Sequence, residues 1–138
     1  MNKALTILLI LTCMLSLKCT TDVAQVYEYE PTNDVVLRVK LRKLVAQPQH
    51  KSVFLYFDIE FENNASNPIY IHLGELRASL NNKVSTETYY DSLASVLPEK
   101  TVLERGRSSH RLYFVFPQEV GTAEVRNFKL VNYGVSTK

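Results

Sequence analysis

The sequence predicts an all-β fold, an antiparallel sandwich or barrel, behind an N-terminal export signal. Three observations lead there. Apolar and polar residues alternate with period two over long stretches, which marks strands with one buried face. Turn-forming clusters recur about every ten residues, the rhythm of short strands in sandwiches and barrels. No amphipathic helix of usable length interrupts them.

The first segment is an address. Asn2 and Lys3 precede an apolar run from Ala4 to Leu17, which ends abruptly at Lys18-Cys19-Thr20-Thr21. A cationic start, an apolar core and a polar end make a signal peptide over residues 1–18. The apolar core is shorter than the ~20 residues a membrane span needs. Both cysteines, Cys13 and Cys19, fall here, so the mature part has no disulfide. Cys19 resembles the lipid-modified cysteine of bacterial lipoproteins, which becomes the first mature residue and carries palmitate-type acyl chains. Ser16 and Lys18 stand where the usual pattern has leucine and a small residue. Cleavage at Cys13 would leave an apolar tail on the mature chain. The expectation is lipid attachment at Cys19, export to the cell envelope, and membrane contact through the anchor.

Cleavage at Cys19 leaves ~120 residues, enough for one domain with its own core. Lys3 and Lys18 leave with the signal, so sixteen Lys and Arg become fourteen, against fourteen Asp and Glu. That balance argues against a nucleic-acid partner, which calls for a net basic face. It also supplies no polybasic membrane attachment. Residues 19–34 are polar and aperiodic and read as a tether or an edge strand. The sandwich domain is expected over 35–138.

Within that domain Leu37, Val39 and Leu41 alternate with Arg38, Lys40 and Arg42. After a loop at Gln47 to Lys51, Val53, Leu55, Phe57, Ile59 and Phe61 alternate with Phe54, Tyr56, Asp58, Glu60 and Glu62. Antiparallel pairing of these two strands would set Arg38 opposite Glu60 and Lys40 opposite Asp58, a sign pattern that helps fix register. Asn63 to Pro68 is a dense turn signal, and its Asn64-Ala65-Ser66 acceptor triplet reads as part of that turn. Ile69, Ile71 and Leu73 form the next strand, with Tyr70 and His72 on its other face. Leu76, Ala78 and Leu80 follow, then a turn at Asn81-Asn82 and a weaker strand from Lys83 to Thr88. Tyr89 to Lys100 reads as irregular, with a short helical turn at 93–97. Thr101 to Leu103, Arg111 to Phe116 and Val125 to Asn132 complete the strands.

The run Phe57-Asp58-Ile59-Glu60-Phe61-Glu62-Asn63-Asn64-Ala65-Ser66-Asn67-Pro68-Ile69 resembles the signature of a bacterial secreted immunoglobulin-like domain family. There a strand ends in an Asn-containing turn and restarts at Pro-Ile. Leu103-Glu104-Arg105-Gly106-Arg107 and Leu112-Tyr113-Phe114-Val115-Phe116-Pro117 are similar to its second element, with Arg105 in place of a proline. The resemblance covers residues 35–132. Members are largely uncharacterised lipoproteins and cell-surface proteins. The resemblance therefore implies an immunoglobulin-like sandwich and an envelope location, and it carries no catalytic residue.

Little in the sequence suggests chemistry. His50, His72 and His110 lack metal-ligand spacing, and Met1 and Met14 lie in the signal, so no metal and no cofactor is expected. Ser109 beside His110 makes no triad, and no Gly-x-Ser-x-Gly turn exists. An enzyme is not expected. Binding has better candidates. Tyr56, Tyr70 and Tyr113 fall opposite the core positions of their strands and face outward, and Tyr89-Tyr90 open the irregular segment. Tyrosine gives rigid contact area with a polar tip. These five form the candidate partner-binding set. The expected function is an envelope-anchored protein-binding or envelope-assembly module. The alternatives are a secreted inhibitor presenting a loop to a hydrolase, and a small-molecule or metal carrier.

Overall fold

A computed structural model describes residues 20–92, 95–122 and 125–137. The signal segment and Cys19 lie outside the described residues. The strands, in chain order, are β1 (Thr20–Asp22), β2 (Val26–Thr32), β3 (Val35–Gln47), β4 (Ser52–Asn63), β5 (Ile69–Ile71) and β6 (Arg77–Leu80). They continue with β7 (Lys83–Val84), β8 (Glu87–Tyr90), β9 (Thr101–Leu103), β10 (Gly106–Pro117), β11 (Lys129–Asn132) and β12 (Val135–Ser136). All pair antiparallel. One six-stranded sheet runs β1-β3-β4-β10-β8, with β2 also on β3. Two three-stranded sheets, β11-β6-β7 and β12-β5-β9, face it. The protein is an antiparallel β-sandwich, and at the level of architecture it fits the immunoglobulin-like expectation.

The core follows from alternation. Leu37, Val39 and Leu41 of β3, Leu55, Phe57, Ile59 and Phe61 of β4, and Leu112, Phe114 and Phe116 of β10 are all buried. They meet Ile69, Ile71, Ala78, Leu80 and Leu130 from the smaller sheets in one cluster. Phe57 and Phe114 stack at its centre with ring centroids 4.3 Å apart. Aromatic and aliphatic side chains of this size bring ~1.5–3 kcal/mol each when fully buried, enough to hold the sandwich without a disulfide.

Buried polar groups tie the sheets together. Asn63, at the end of β4, is fully buried. Its Nδ2 donates to the carbonyls of Asn67 (2.9 Å) and Leu103 (3.1 Å), and its Oδ1 accepts the Ala65 N–H (3.0 Å). The turn signal is thereby pinned to β9 in the opposite sheet. Thr88 of β8 donates its hydroxyl to the Leu76 carbonyl at 2.7 Å, and Ser85 Oγ accepts the Ala78 N–H at 3.0 Å. Burying Thr88 inward sets the parity of the whole of β8. Asn81 and Asn82 both take positive φ (49° and 67°), the geometry of a tight hairpin between β6 and β7.

Several boundaries differ from the sequence reading. β3 runs on beyond the alternation to Gln47, the first residue of the expected loop, past a register shift between Leu41 and Lys43. From Thr20 to Thr32 the segment read as tether or edge strand is sheet edge. β1 and β2 pair along β3, and the Val23 N–H and Gln25 carbonyl bond across the break between them. The Lys83–Thr88 strand is two strands, β7 and β8, and the second extends through Tyr90. The final strand narrows to Lys129–Asn132 and is followed by β12. Leu93 and Ala94, in the expected helical turn, lie outside the described residues.

Candidate functional site

The site is built where β3 breaks its alternation. A β-bulge places two residues of one strand against one of its partner and re-aims the side chains. Here it lies between Leu41 and Lys43, so that Lys43 pairs with Tyr56 and Leu44 returns to the core. A single row then crosses the large sheet in register: Asp22, Lys43, Tyr56, Tyr113, Tyr89. On the outer face the Lys43 ammonium sits 4.8 Å from the centre of the Tyr56 ring. Tyr56 and Tyr113 have centroids 5.3 Å apart, Tyr113 and Tyr89 5.5 Å. Phe54 from the adjacent row stacks on Tyr113 at 4.8 Å.

The segment after β8 walls this row. Asp91 bonds its N–H to the Arg111 carbonyl, and its carboxylate takes the Arg42 guanidinium at 2.8 Å. Arg42 lies three strands away on β3, so the chain folds back over the aromatic row. The result is an open groove of about 460 Å³ lined by Gln47, Phe54, Tyr56, Tyr113, Tyr89, Tyr90, Asp91, Ser92 and Ser95. Tyr89 is 41% exposed.

The phenols are held protonated. Burial pushes Tyr113 up, and the Asp91 and Glu87 carboxylates add to it. Burial also raises Tyr56, with Asp91 and Tyr113 reinforcing and Arg42 opposing. Tyr89 rises through its bond to Glu87 first, then burial. At neutral pH the groove presents ring faces and neutral hydroxyls that both donate and accept.

Of the five candidate tyrosines, the structure brings together Tyr56, Tyr89 and Tyr113. It sets Tyr70 apart, and Tyr90 reaches the groove lining from the other face of β8. Tyr90 and Tyr89 are strand neighbours, so their side chains leave on opposite faces. Tyr90 packs against the core and lies 6.4 Å from His110. Tyr70 is outward, but on β5 in the opposing sheet, where the Lys100 ammonium covers its ring at 4.9 Å. Nor are Tyr89 and Tyr90 loop residues; both lie in β8. Cys19 lies outside the described residues. Sequence reasoning missed Phe54, Lys43 and the Arg42–Asp91 pair. Two signals were available: Phe54 and Tyr56 share one face of an alternating strand, and Arg42-Lys43 interrupts a strict alternation.

At the other end the outer face is ionic. Arg38 donates to Glu28 (3.0 Å), Glu60 (2.9 Å) and Glu62 (2.5 Å), and Arg107 approaches Glu62 at 3.6 Å. Arg38 does stand opposite Glu60, and Lys40 opposite Asp58, but the carboxylate of Asp58 is bound by Arg111 at 3.0 Å.

The histidines are scattered. His72 meets Ser136 at 3.2 Å, His50 lies beside Phe54, and His110 Nε2 shares a 2.8 Å bond with Ser108 Oγ. Ser108, not Ser109, is the serine on the His110 face, because residues two apart share a side of a strand. Burial lowers the His110 pKa. Among the described residues no carboxylate orients this pair, and no three His, Cys, Asp or Glu side chains gather as a metal site. No described helix is long and apolar enough to cross a membrane. Comparison with protein-family models, with curated proteins and with solved structures returned no match.

Proposed function

We propose that this protein is an envelope-anchored, immunoglobulin-like binding module that recognises a partner protein through the Tyr56–Tyr113–Tyr89 groove. The observation that carries the reading is the in-register convergence of these rings, with Phe54 beside them, on one solvent-facing groove, Lys43 capping the Tyr56 ring. Large rigid rings with polar tips are the side chains that dominate protein–protein contact energy. Among the described lining residues no nucleophile is paired with a base, and the proposed mode of action is contact. Its open form favours a macromolecular surface over an enclosed small molecule.

Lipid attachment at Cys19 completes the reading and gives it an orientation. Thr20 is already paired with Val45, and Val45 with Phe54, so the groove shares a sheet row with the first strand residue. An acyl group at Cys19 would hold the groove close to the bilayer with no slack spacer. Its partner is then a protein that itself reaches the membrane surface.

Site-specific photo-crosslinking in the envelope tests this. A benzophenone side chain at position 89 should give a defined crosslinked species that is lost in Tyr113→Ala, while one at position 70 should not. Equal products from both positions would overturn the groove as the site. Separately, Cys19→Ala should abolish lipid labelling and release the protein from membranes, while Cys13→Ala should change neither. Membrane retention of a normally processed Cys19→Ala protein would overturn the anchor.

A further inference from the structure

The large sheet has an unfilled lane along β10. β10 pairs with β4 over its whole length, from Gly106 opposite Asn63 to Pro117 opposite Ser52, with no register shift. On its other side β8 covers only Leu112 to Val115. The Asp91 N–H then bonds the Arg111 carbonyl at 3.0 Å, and the chain folds away towards Arg42. In an antiparallel ladder the N–H and C=O of one residue point to the same side, and that side alternates along the strand. The Arg111 and Val115 carbonyls both accept bonds on the β8 side. Arg107 and Ser109 have the same parity, so they aim their N–H and C=O into the lane. Neither backbone has a partner there among the described residues. Both residues are exposed.

We propose that this lane accepts an extended peptide strand from a partner protein, antiparallel to β10 alongside residues 106–110. The peptide carries acidic side chains on one face and apolar ones on the other. Arg107 and Ser109 supply the backbone bonds of this strand addition. The acidic preference comes from the neighbours an added strand would meet. Arg107 and Arg111 have side chains 63% and 61% exposed on the outer face of the lane, and Arg105 adjoins them. A second copy pairing about Ser109 would set Arg107 opposite Arg111, and directly opposed like charges are unfavourable. Carboxylates in those places reverse the sign. The inward positions of an added strand lie beside Ser108 and the half-buried His110 ring, which is 6.0 Å from Phe61 and 6.4 Å from Tyr90. That side favours apolar residues. The lane runs toward the Asn63 end of the sheet, whereas the groove lies nearer the Ser52 end, so this site does not depend on the groove reading.

Amide exchange, measured by NMR on the labelled domain, tests the proposal. Without peptide, Arg107 and Ser109 should exchange fast and Ser108 and His110 slowly. A seven-residue peptide of alternating valine and glutamate should slow Arg107 and Ser109 at least tenfold. The valine–lysine counterpart should not, and Tyr89→Ala should leave the effect intact. Ser109→Pro removes an N–H that the β4 ladder does not use, an edge position where proline is tolerated. It should fold and lose the protection at Arg107. Should it fail to fold, Arg107→Glu with Arg111→Glu gives the answer by switching the preference to the valine–lysine peptide. No slowing with the acidic peptide, or equal slowing with both, overturns the proposal. So does concentration-dependent protection without peptide, which would mean self-association.

Discussion

The two ends of the large sheet's outer face share strands and register but present opposite chemistries. Toward Asn63, Arg38, Glu28, Glu60, Glu62, Asp58 and Arg111 form a lattice of ion pairs. Toward Ser52, Phe54, Tyr56, Tyr113 and Tyr89 form an aromatic row walled by Asp91. Beneath both, the inner face is one continuous run of buried aliphatic and aromatic side chains. The difference teaches where the fold is specified. Burial of alternate residues sets register along the whole strand, which leaves the outward positions free to differ from end to end. The ionic end pairs its charges across the sheet around Arg38, and leaves Arg107 and Arg111 largely exposed at its β10 edge. The aromatic end leaves ring faces open, and therefore holds the groove.

If the shared inner face carries the fold, truncation there should far outweigh any change outside. Phe57→Ala removes a ring stacked on Phe114 in a closed core and should cost ~3–5 kcal/mol in denaturant titration. Glu60→Ala, three residues along β4 on its outer face, should cost under ~1 kcal/mol, as for a partly exposed pair. The reverse ranking would mean that the strand register is off by one.

The aromatic end can be split at adjacent residues. Tyr89→Ala should weaken partner capture by ~2 kcal/mol with an unchanged folding midpoint, as for a hot-spot side chain. Tyr90→Ala should do the converse, lowering the midpoint by packing loss while sparing capture. Equal behaviour of the two variants would erase the distinction between the faces of β8.

That split also marks how far the sequence could be read. The alternation of Leu55 to Phe61 and of Leu112 to Phe116 is local, and it gave strands, faces and core directly. Charge signs gave the β3–β4 register, with Arg38 opposite Glu60. The parity of Tyr89 and Tyr90 was not legible, because it depends on Thr88 turning inward to bond the Leu76 carbonyl twelve residues away. Nor could local period tell that Tyr70 belongs to the opposing sheet, since sheet membership is set by long-range pairing. The groove's wall rests on Arg42 meeting Asp91 across three intervening pairings, a contact no spacing rule anticipates.

Between core and surface stands Asn63, whose side chain links the end of β4 to β9. Asn63→Ala would strand the Ala65 N–H and remove a donor from the Leu103 and Asn67 carbonyls, so ~1–3 kcal/mol of destabilisation is expected. The loss should fall on the ionic end of the sheet. Hydrogen exchange should quicken at Ala65 while Tyr113 stays protected. Uniform quickening would mean that Asn63 acts through global stability alone.

The smallest effect is electrostatic and tests whether the ionic end contributes through charge at all. The Arg38 guanidinium holds the Glu62 carboxyl below the usual carboxylate range, Arg107 adding to it. A carboxyl with a depressed folded pKa favours the folded state above its unfolded value of ~4.3. That contribution is lost as pH falls through the lower folded value, because protonation then breaks the bond to Arg38. Stability measured from pH 7 toward pH 3 should therefore decline on the acid side. In Arg38→Met, Glu28, Glu60 and Glu62 lose their shared cation, only the more distant Arg107 remaining beside Glu62, and protonation relieves repulsion instead. The acid slope of the variant should accordingly be shallower, and the gap between the two proteins should shrink in 1 M salt, where the screening length falls to ~3 Å. Parallel curves at every pH would mean that the arginine acts through its aliphatic stem, and that the ionic end is held by the same packing as the aromatic one.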